Sequence, residues 1–225
     1  PRTLLGPRTG TGASPCQNGR MPTPSVVIPP HLLPADGRFG SGPSRVRPAQ
    51  MDALAALGTS VMGASHRQPP VRDLVARVRR GVAELLDAPD GHEVVLGNGG
   101  STSFWDAATF SLVRTRAHHA AHGEFGAKFA AATSAAPFLS DSHVTRAEPG
   151  TLACVAFDDE ADVYAWAHNE TSTGVVSPVA RPEGATPDQL TLVAATSIAG
   201  AAAVDLREAA AYYFAPQKVF GPDGG

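Results

Sequence analysis

Val163-Tyr164-Ala165-Trp166-Ala167, running into His168-Asn169-Glu170-Thr171, is an apolar pentamer that stops at a polar turn. A run this short, with no polar residue at alternate positions, reads as a strand buried on both faces. Residues 190–195 and 212–214 share that character, and residues 93–96 form a fourth such run ahead of Gly97-Asn98-Gly99-Gly100-Ser101. Helical patterns fill the intervals, at about 48–57, 70–87, 102–113 and 124–133. The second carries Val71, Leu74, Val75, Val78, Val82, Leu85 and Leu86 on one face, with Arg72, Arg77, Arg79 and Arg80 on the other. Strands alternating with helices predict an α/β fold with a mainly parallel sheet covered on both faces. In such sheets ligands sit beyond the carboxyl ends of the strands. The loops after Leu96, Ala167, Ala195 and Phe214 all fall at such ends.

The bulk composition fits this reading. At 225 residues, 43% hydrophobic and 17% charged, the chain is long enough for one large domain with a real core. A net charge of −3 without a basic face argues against a nucleic-acid or anionic-membrane partner, and no apolar run reaches the length of a membrane span. Cys16 and Cys154 stand far apart in unlike contexts, with neither a metal-binding spacing nor a disulfide framework. A reducing cytoplasm is the expected compartment, with no metal site. Residues 1–20 are Gly, Pro, Thr and Arg without periodicity, and Met21 follows. They read as a disordered extension or a start placed too early, leaving 21–225 as the domain.

Only two lysines occur, Lys128 and Lys218, against sixteen arginines. Lys218 follows the aromatic strand Tyr212-Tyr213-Phe214 and precedes Gly221-Pro222-Asp223-Gly224-Gly225. A lysine amine can form a Schiff base with an aldehyde cofactor, which a permanently protonated guanidinium cannot. A solvated surface lysine is the equal alternative on spacing alone. Gly97 to Thr102 leads from the 93–96 run into a helix, so small residues, helical amides and two hydroxyls suit an anion. The spacing is neither a P-loop nor a dinucleotide fingerprint, and a plain tight turn reads as well. Phe125 at a helix start offers a stacking face, or a core side chain. Ser65-His66-Arg67-Gln68, between the first two helices, suits a carboxylate or phosphate, or is simply surface.

Together these segments resemble one family. The set is Phe39-Gly40-Ser41-Gly42-Pro43-Ser44, Ser65 to Gln68, Gly97 to Asp106, Gly123-Glu124-Phe125, Ala165 to Gly174, and Tyr212 to Lys218. In order and separation it is similar to the phosphoserine aminotransferases, in their actinobacterial form, among the class V pyridoxal-phosphate-dependent aminotransferases. The resemblance spans residues 22–225. It implies the large domain of aminotransferase fold type I, with the C-terminal small domain missing. It implies pyridoxal 5′-phosphate as cofactor and transfer of an amino group from L-glutamate to 3-phosphohydroxypyruvate in serine, and by extension pyridoxine, biosynthesis. A homodimeric parent enzyme is also implied.

Carried over by position, Lys218 holds the cofactor and serves as general base and acid. Ser101, Thr102 and Gln217 bind the cofactor phosphate, Phe125 stacks on the ring, and Thr171 bonds the ring substituents. His66 and Arg67 face the anionic groups of the substrate. One departure concerns the chemistry. The family has an aspartate, paired with the ring nitrogen, where this chain has Ala194 before Ala195-Thr196-Ser197. Since the family continues past the position of Gly225, the chain is expected to be a fragment. Two other readings stay open: a non-catalytic remnant, and a related class V enzyme with another substrate.

Overall fold

The computed structural model describes residues 27–37 and 40–223. The expected extension at 1–20 therefore lies outside the described residues. Described residues 27–37 contain a single 3-10 turn, Pro30–Leu32, and belong to a first unit. The second unit begins at Arg38 and holds every other element.

In that unit the order is α1 (Pro48–Val61), α2 (Pro69–Leu85), α3 (Gly100–Ser111), β1 (Ala117–Ala121), α4 (Glu124–Ser134), β2 (His143–Arg146) and β3 (Val163–Ala167). Then follow β4 (Asn169–Glu170), β5 (Val175–Val176), β6 (Leu190–Ala194), a 3-10 turn at Leu206–Glu208 and β7 (Ala211–Tyr213). Five strands make one parallel sheet in the order β2-β1-β3-β6-β7. The short β4 and β5 pair antiparallel just past β3.

Alternation along each strand builds the core. Val163 and Ala165 of β3 and Leu192 of β6 face α3 and α4, where they meet Trp105, Ala108 and Phe129. Tyr164, Trp166 and Val193 point the other way, against Ala153, Ala161 and Ala209 from connecting segments. Helices thus cover one face and irregular chain the other. Both covers keep the strands dry, which is why β3 is apolar at every position.

Two expectations are corrected. Residues 93–96 pair with no strand among the described residues, and Val95 is 81% exposed. β-Branched composition made this stretch look like a strand, but it has no ladder to join. Conversely, β1 was missed because Ala117-His118-His119-Ala120-Ala121 is short of strand-forming residues. It is buried along its whole length beside β3. Its histidines are tolerated because they find partners: His119 Nε2 lies 2.8 Å from Thr133 Oγ1, and His118 Nε2 lies 2.9 Å from Thr145 Oγ1.

Helix ends locate the loops that matter. Pro69 and Pro70 open α2, where missing amide hydrogens cost nothing. Gly99 starts α3 at φ 94°, a left-handed turn suited to glycine. Gly126 lets α4 lie on β1, since a Cβ there would sit 2.9 Å from the Ala120 carbonyl oxygen.

Candidate active site

Lys218 and Thr171 are 47 residues apart, yet Lys218 Nζ donates a 3.0 Å hydrogen bond to Thr171 Oγ1. The two loops meet because β6 lies between β3 and β7 in the sheet, so the exits of these strands are neighbours. Thr171 in turn donates to Ser197 Oγ at 2.9 Å, and Asn169 Nδ2 reaches the same oxygen at 2.7 Å. Next in sequence, Thr196 shares a short hydroxyl–hydroxyl bond with Ser101 in the first turn of α3. A hydrogen-bonded series therefore runs from the α3 amino terminus, through the turn after β6 and the loop after β3, to the Lys218 amine.

The amine sits 5.4 Å from the centroid of the Phe125 ring, at the start of α4. Burial pushes its pKa below the ordinary lysine value of 10.5, and the nearby Glu170 carboxylate opposes that shift. The direction favours a neutral, nucleophilic nitrogen. Glu170 is itself fully buried. Its carboxylate accepts from the amides of Phe125 (3.3 Å) and Gly126 (3.0 Å) and from the Ser172 hydroxyl (2.7 Å). A negative charge at the amino end of α4 satisfies otherwise orphaned amides and complements the helix dipole. It also anchors Phe125 beside Lys218.

The stem of Lys218 is held by close approach. A Cβ on Gly42 would overlap Lys218 Cγ and come within 2.8 Å of Cε, and φ there is 149°. Ser44 clamps the neighbouring residue, donating from its amide (2.8 Å) and its hydroxyl (3.2 Å) to the Gln217 carbonyl. Further along, His168 Nδ1 meets the Tyr212 hydroxyl at 2.9 Å. Burial lowers the His168 pKa and raises that of Tyr212 to about 12, so both are neutral at ordinary pH.

Several features suit an anionic, aldehyde-bearing ring. The α3 first turn has no side-chain cap and no acidic residue, leaving its amides and the Ser101 hydroxyl for an anion. Gln217 Oε1 is buried without a partner. A ligand donor would satisfy it, or the amide turned over would offer an N–H to an anion. Phe125 gives a flat face and Thr171 a hydroxyl next to the amine. What is lacking is a carboxylate at the end of β6. Half-buried Ala194 stands between Ala167 and Tyr213 and packs against the α3–α4 side of the core.

The sequence-predicted residues divide into two groups. Ser101, Phe125, Thr171, Gln217 and Lys218 converge, and Thr102 stands exposed beside Ser101 at the same helix end. His66 and Arg67 lie exposed in the turn between α1 and α2, with no hydrogen bond or ion pair to the others among the described residues. Sequence reasoning missed Gly42, Ser44, Glu170, Thr196 and Ser197 as working parts. Their signal was present only as motif neighbours, since small or acidic residues show a role only when the chain brings something against them.

The aminotransferase class-V family model matches residues 39–224. The chain belongs to that family. Among its class-V relatives, a phosphoserine aminotransferase of Nocardioides sp. is 58% identical over 204 residues, covering 90% of this chain and 54% of that protein. A phosphoserine aminotransferase of Rhodococcus opacus is 53% identical, again over 90% of this chain and 54% of its own length. Among solved structures, the phosphoserine aminotransferase of Cytophaga hutchinsonii aligns with a TM-score of 0.73 at 24% identity, over 82% of this chain and 52% of that one. The pyridoxal-phosphate-bound phosphoserine aminotransferase of Trichomonas vaginalis aligns at 0.70 and 19% identity, over 83% and 58%. These place the chain in the class-V aminotransferase fold. It spans about half the length of the curated relatives it matches.

Proposed function

We propose that this chain is the cofactor-binding part of a phosphoserine aminotransferase, which moves an amino group from L-glutamate to 3-phosphohydroxypyruvate and yields O-phospho-L-serine and 2-oxoglutarate. The observation that carries the reading is the desolvated Lys218 amine, held 3.0 Å from Thr171 at the carboxyl edge of the sheet. The named relatives at 53–58% identity support the substrate pair. A homodimeric parent located in the cytoplasm belongs to the same reading. No helix among the described residues is long and apolar enough to cross a membrane.

Pyridoxal 5′-phosphate, when bound, supplies an aldehyde that condenses with amines and a ring that accepts the electron pair released at the substrate α-carbon. The rest falls to the protein. Lys218 Nζ would hold the cofactor and would take and return the proton at the substrate α-carbon. Its lowered basicity leaves a larger neutral fraction for both tasks. Ser101, Thr102 and the α3 amides would hold the phosphate, and Gln217 would contribute its side-chain amide. Phe125 orients the ring, and Thr171 keeps the amine directed while it waits. His66 and Arg67 supply positive or hydrogen-bonding partners for the substrate's acidic groups.

Ala194 favours a second reading, in which the cofactor binds but turnover is slow. A methyl group cannot hold a proton on the ring nitrogen, so the ring is a weaker electron acceptor.

Covalent labelling tests the assignment. Borohydride reduction of the chain with pyridoxal phosphate should leave one phosphopyridoxyl group on the peptide containing Lys218, and none on that of Lys128. Lys218→Ala should abolish it. Label at Lys128, or undiminished label in the variant, would refute the role of Lys218.

A further inference from the structure

At the opposite end of the same strands, three metal-ligating side chains converge that the chemistry above does not use. His118 on β1 and His143 on β2 are register partners across the parallel pair, so their side chains leave the same face. Their rings stack with centroids 4.1 Å apart. Asp158, just before β3, places Oδ2 3.2 Å from His143 Nδ1 and 3.7 Å from His118 Nδ1. One ligand atom from each of the three lies within 4.8 Å of the others.

We propose that His118, His143 and Asp158 form a zinc site, with His118 Nδ1, His143 Nδ1 and Asp158 Oδ2 as protein ligands and a fourth position open to solvent. No local pattern announces it, because its three members sit at positions 118, 143 and 158 with no recognisable spacing. Zinc bonds to nitrogen and oxygen at about 2.0–2.2 Å in a tetrahedron put neighbouring ligands about 3.3 Å apart. The two measured separations fall close to that; the exposed His143 ring must turn out of its stack on His118 to bring Nδ1 to a shared metal.

The independent observation is the state of His118. Its side chain is 2% exposed, and Nδ1 is buried with no hydrogen-bond partner. The other nitrogen is engaged at 2.9 Å by Thr145 Oγ1. If Nε2 carries the proton and donates to Thr145, the Nδ1 lone pair faces the Asp158 carboxylate, an arrangement that costs energy. A cation between them reverses the sign. An acceptor behind the second ring nitrogen fixes the tautomer of a ligating histidine, and the Thr145 hydroxyl oxygen stands in that place.

The surrounding groups hold the ligands ready. The Asp158 backbone is pinned on both sides: its amide donates to the Tyr164 hydroxyl, and its carbonyl accepts from that hydroxyl, each at 3.0 Å. Two imidazoles and one carboxylate suit zinc and its borderline neighbours, not magnesium or calcium, which prefer oxygen cages.

The test is a zinc titration of the chelator-stripped 225-residue chain, without pyridoxal phosphate, against a chromophoric competitor. One equivalent should bind with micromolar or tighter affinity, unaffected by millimolar magnesium. His143→Ala and Asp158→Asn should each weaken it by at least about tenfold, while His92→Ala should not. His143 is 57% exposed, so its variant keeps the fold, as circular dichroism would verify. Zinc should also raise the thermal midpoint of the wild-type chain and not that of His143→Ala. Absence of a stoichiometric zinc ion, or equal affinity in the wild type and both ligand variants, would overturn the proposal.

Discussion

Replacing Glu170 by glutamine keeps the shape of the side chain and removes its charge. In the folded chain that carboxylate accepts from the amides of Phe125, Gly126 and Ser172 and from the Ser172 hydroxyl. The glutamine oxygen can keep part of this set, but its NH2 then faces amide hydrogens and leaves one or two donors unsatisfied in a fully buried place. Each such loss costs about 1–3 kcal/mol, so the expected destabilisation is about 3 kcal/mol. With a urea slope of about 2 kcal/mol/M, the unfolding midpoint falls by about 1–2 M. A second effect is electrostatic. Glu170 is the attraction that favours the charged Lys218 amine. Without it, desolvation acts alone and the amine titrates further below 10.5, a shift readable in the pH profile of Lys218 acylation by mass spectrometry. Glu124→Gln is the control, since its bond to Lys128 is solvent-exposed and contributes little. An unchanged midpoint together with an unchanged Lys218 profile in Glu170→Gln would refute the coupling of this carboxylate to α4 and to the Lys218 amine.

Gly42→Ala inserts a methyl group into the space of the Lys218 stem, at a φ of 149° that side chains rarely adopt. Displacing the amine should weaken pyridoxal phosphate binding, followed by absorbance, by about tenfold or more; equal affinity would refute the close approach. His119 should make the fold acid-sensitive. Its pKa drops from 6.5 to about 3 through burial and then the neighbouring His118. The unfolded chain therefore takes up the proton first: the stability is present above pH 6.5 and declines as pH falls toward about 3. The slope contributed is about 1.4 kcal/mol per pH unit. His119→Gln should flatten that part of the stability–pH curve in urea titrations, and parallel curves would show that the ring is not buried neutral.

Part of this was legible beforehand because the relevant physics is local. The runs that became β3, β6 and β7 are apolar, short and closed by turn residues, and strands covered on both faces leave that trace. Lys218 stood out by its chemistry and its scarcity. Where burial depended on neighbours far away in sequence, local reading failed in both directions. Val95 and Leu96 look like strand residues and are exposed, while His118 and His119 look like surface residues and are buried.

The sequence by itself determined the alternation that makes an α/β sheet, the loops at its carboxyl edge and the place of Lys218 at a strand exit. Only the tertiary structure decided what surrounds that amine. Parallel strands in the order β3-β6-β7 bring their exits together, so Thr171, Ser197 and Lys218 become bonding partners across gaps no local pattern spans. The same ladder set His118 opposite His143 and turned two unrelated histidines into a pair. The physical reason is that hydrogen bonds and desolvation act over a few ångströms of space, whatever the distance along the chain.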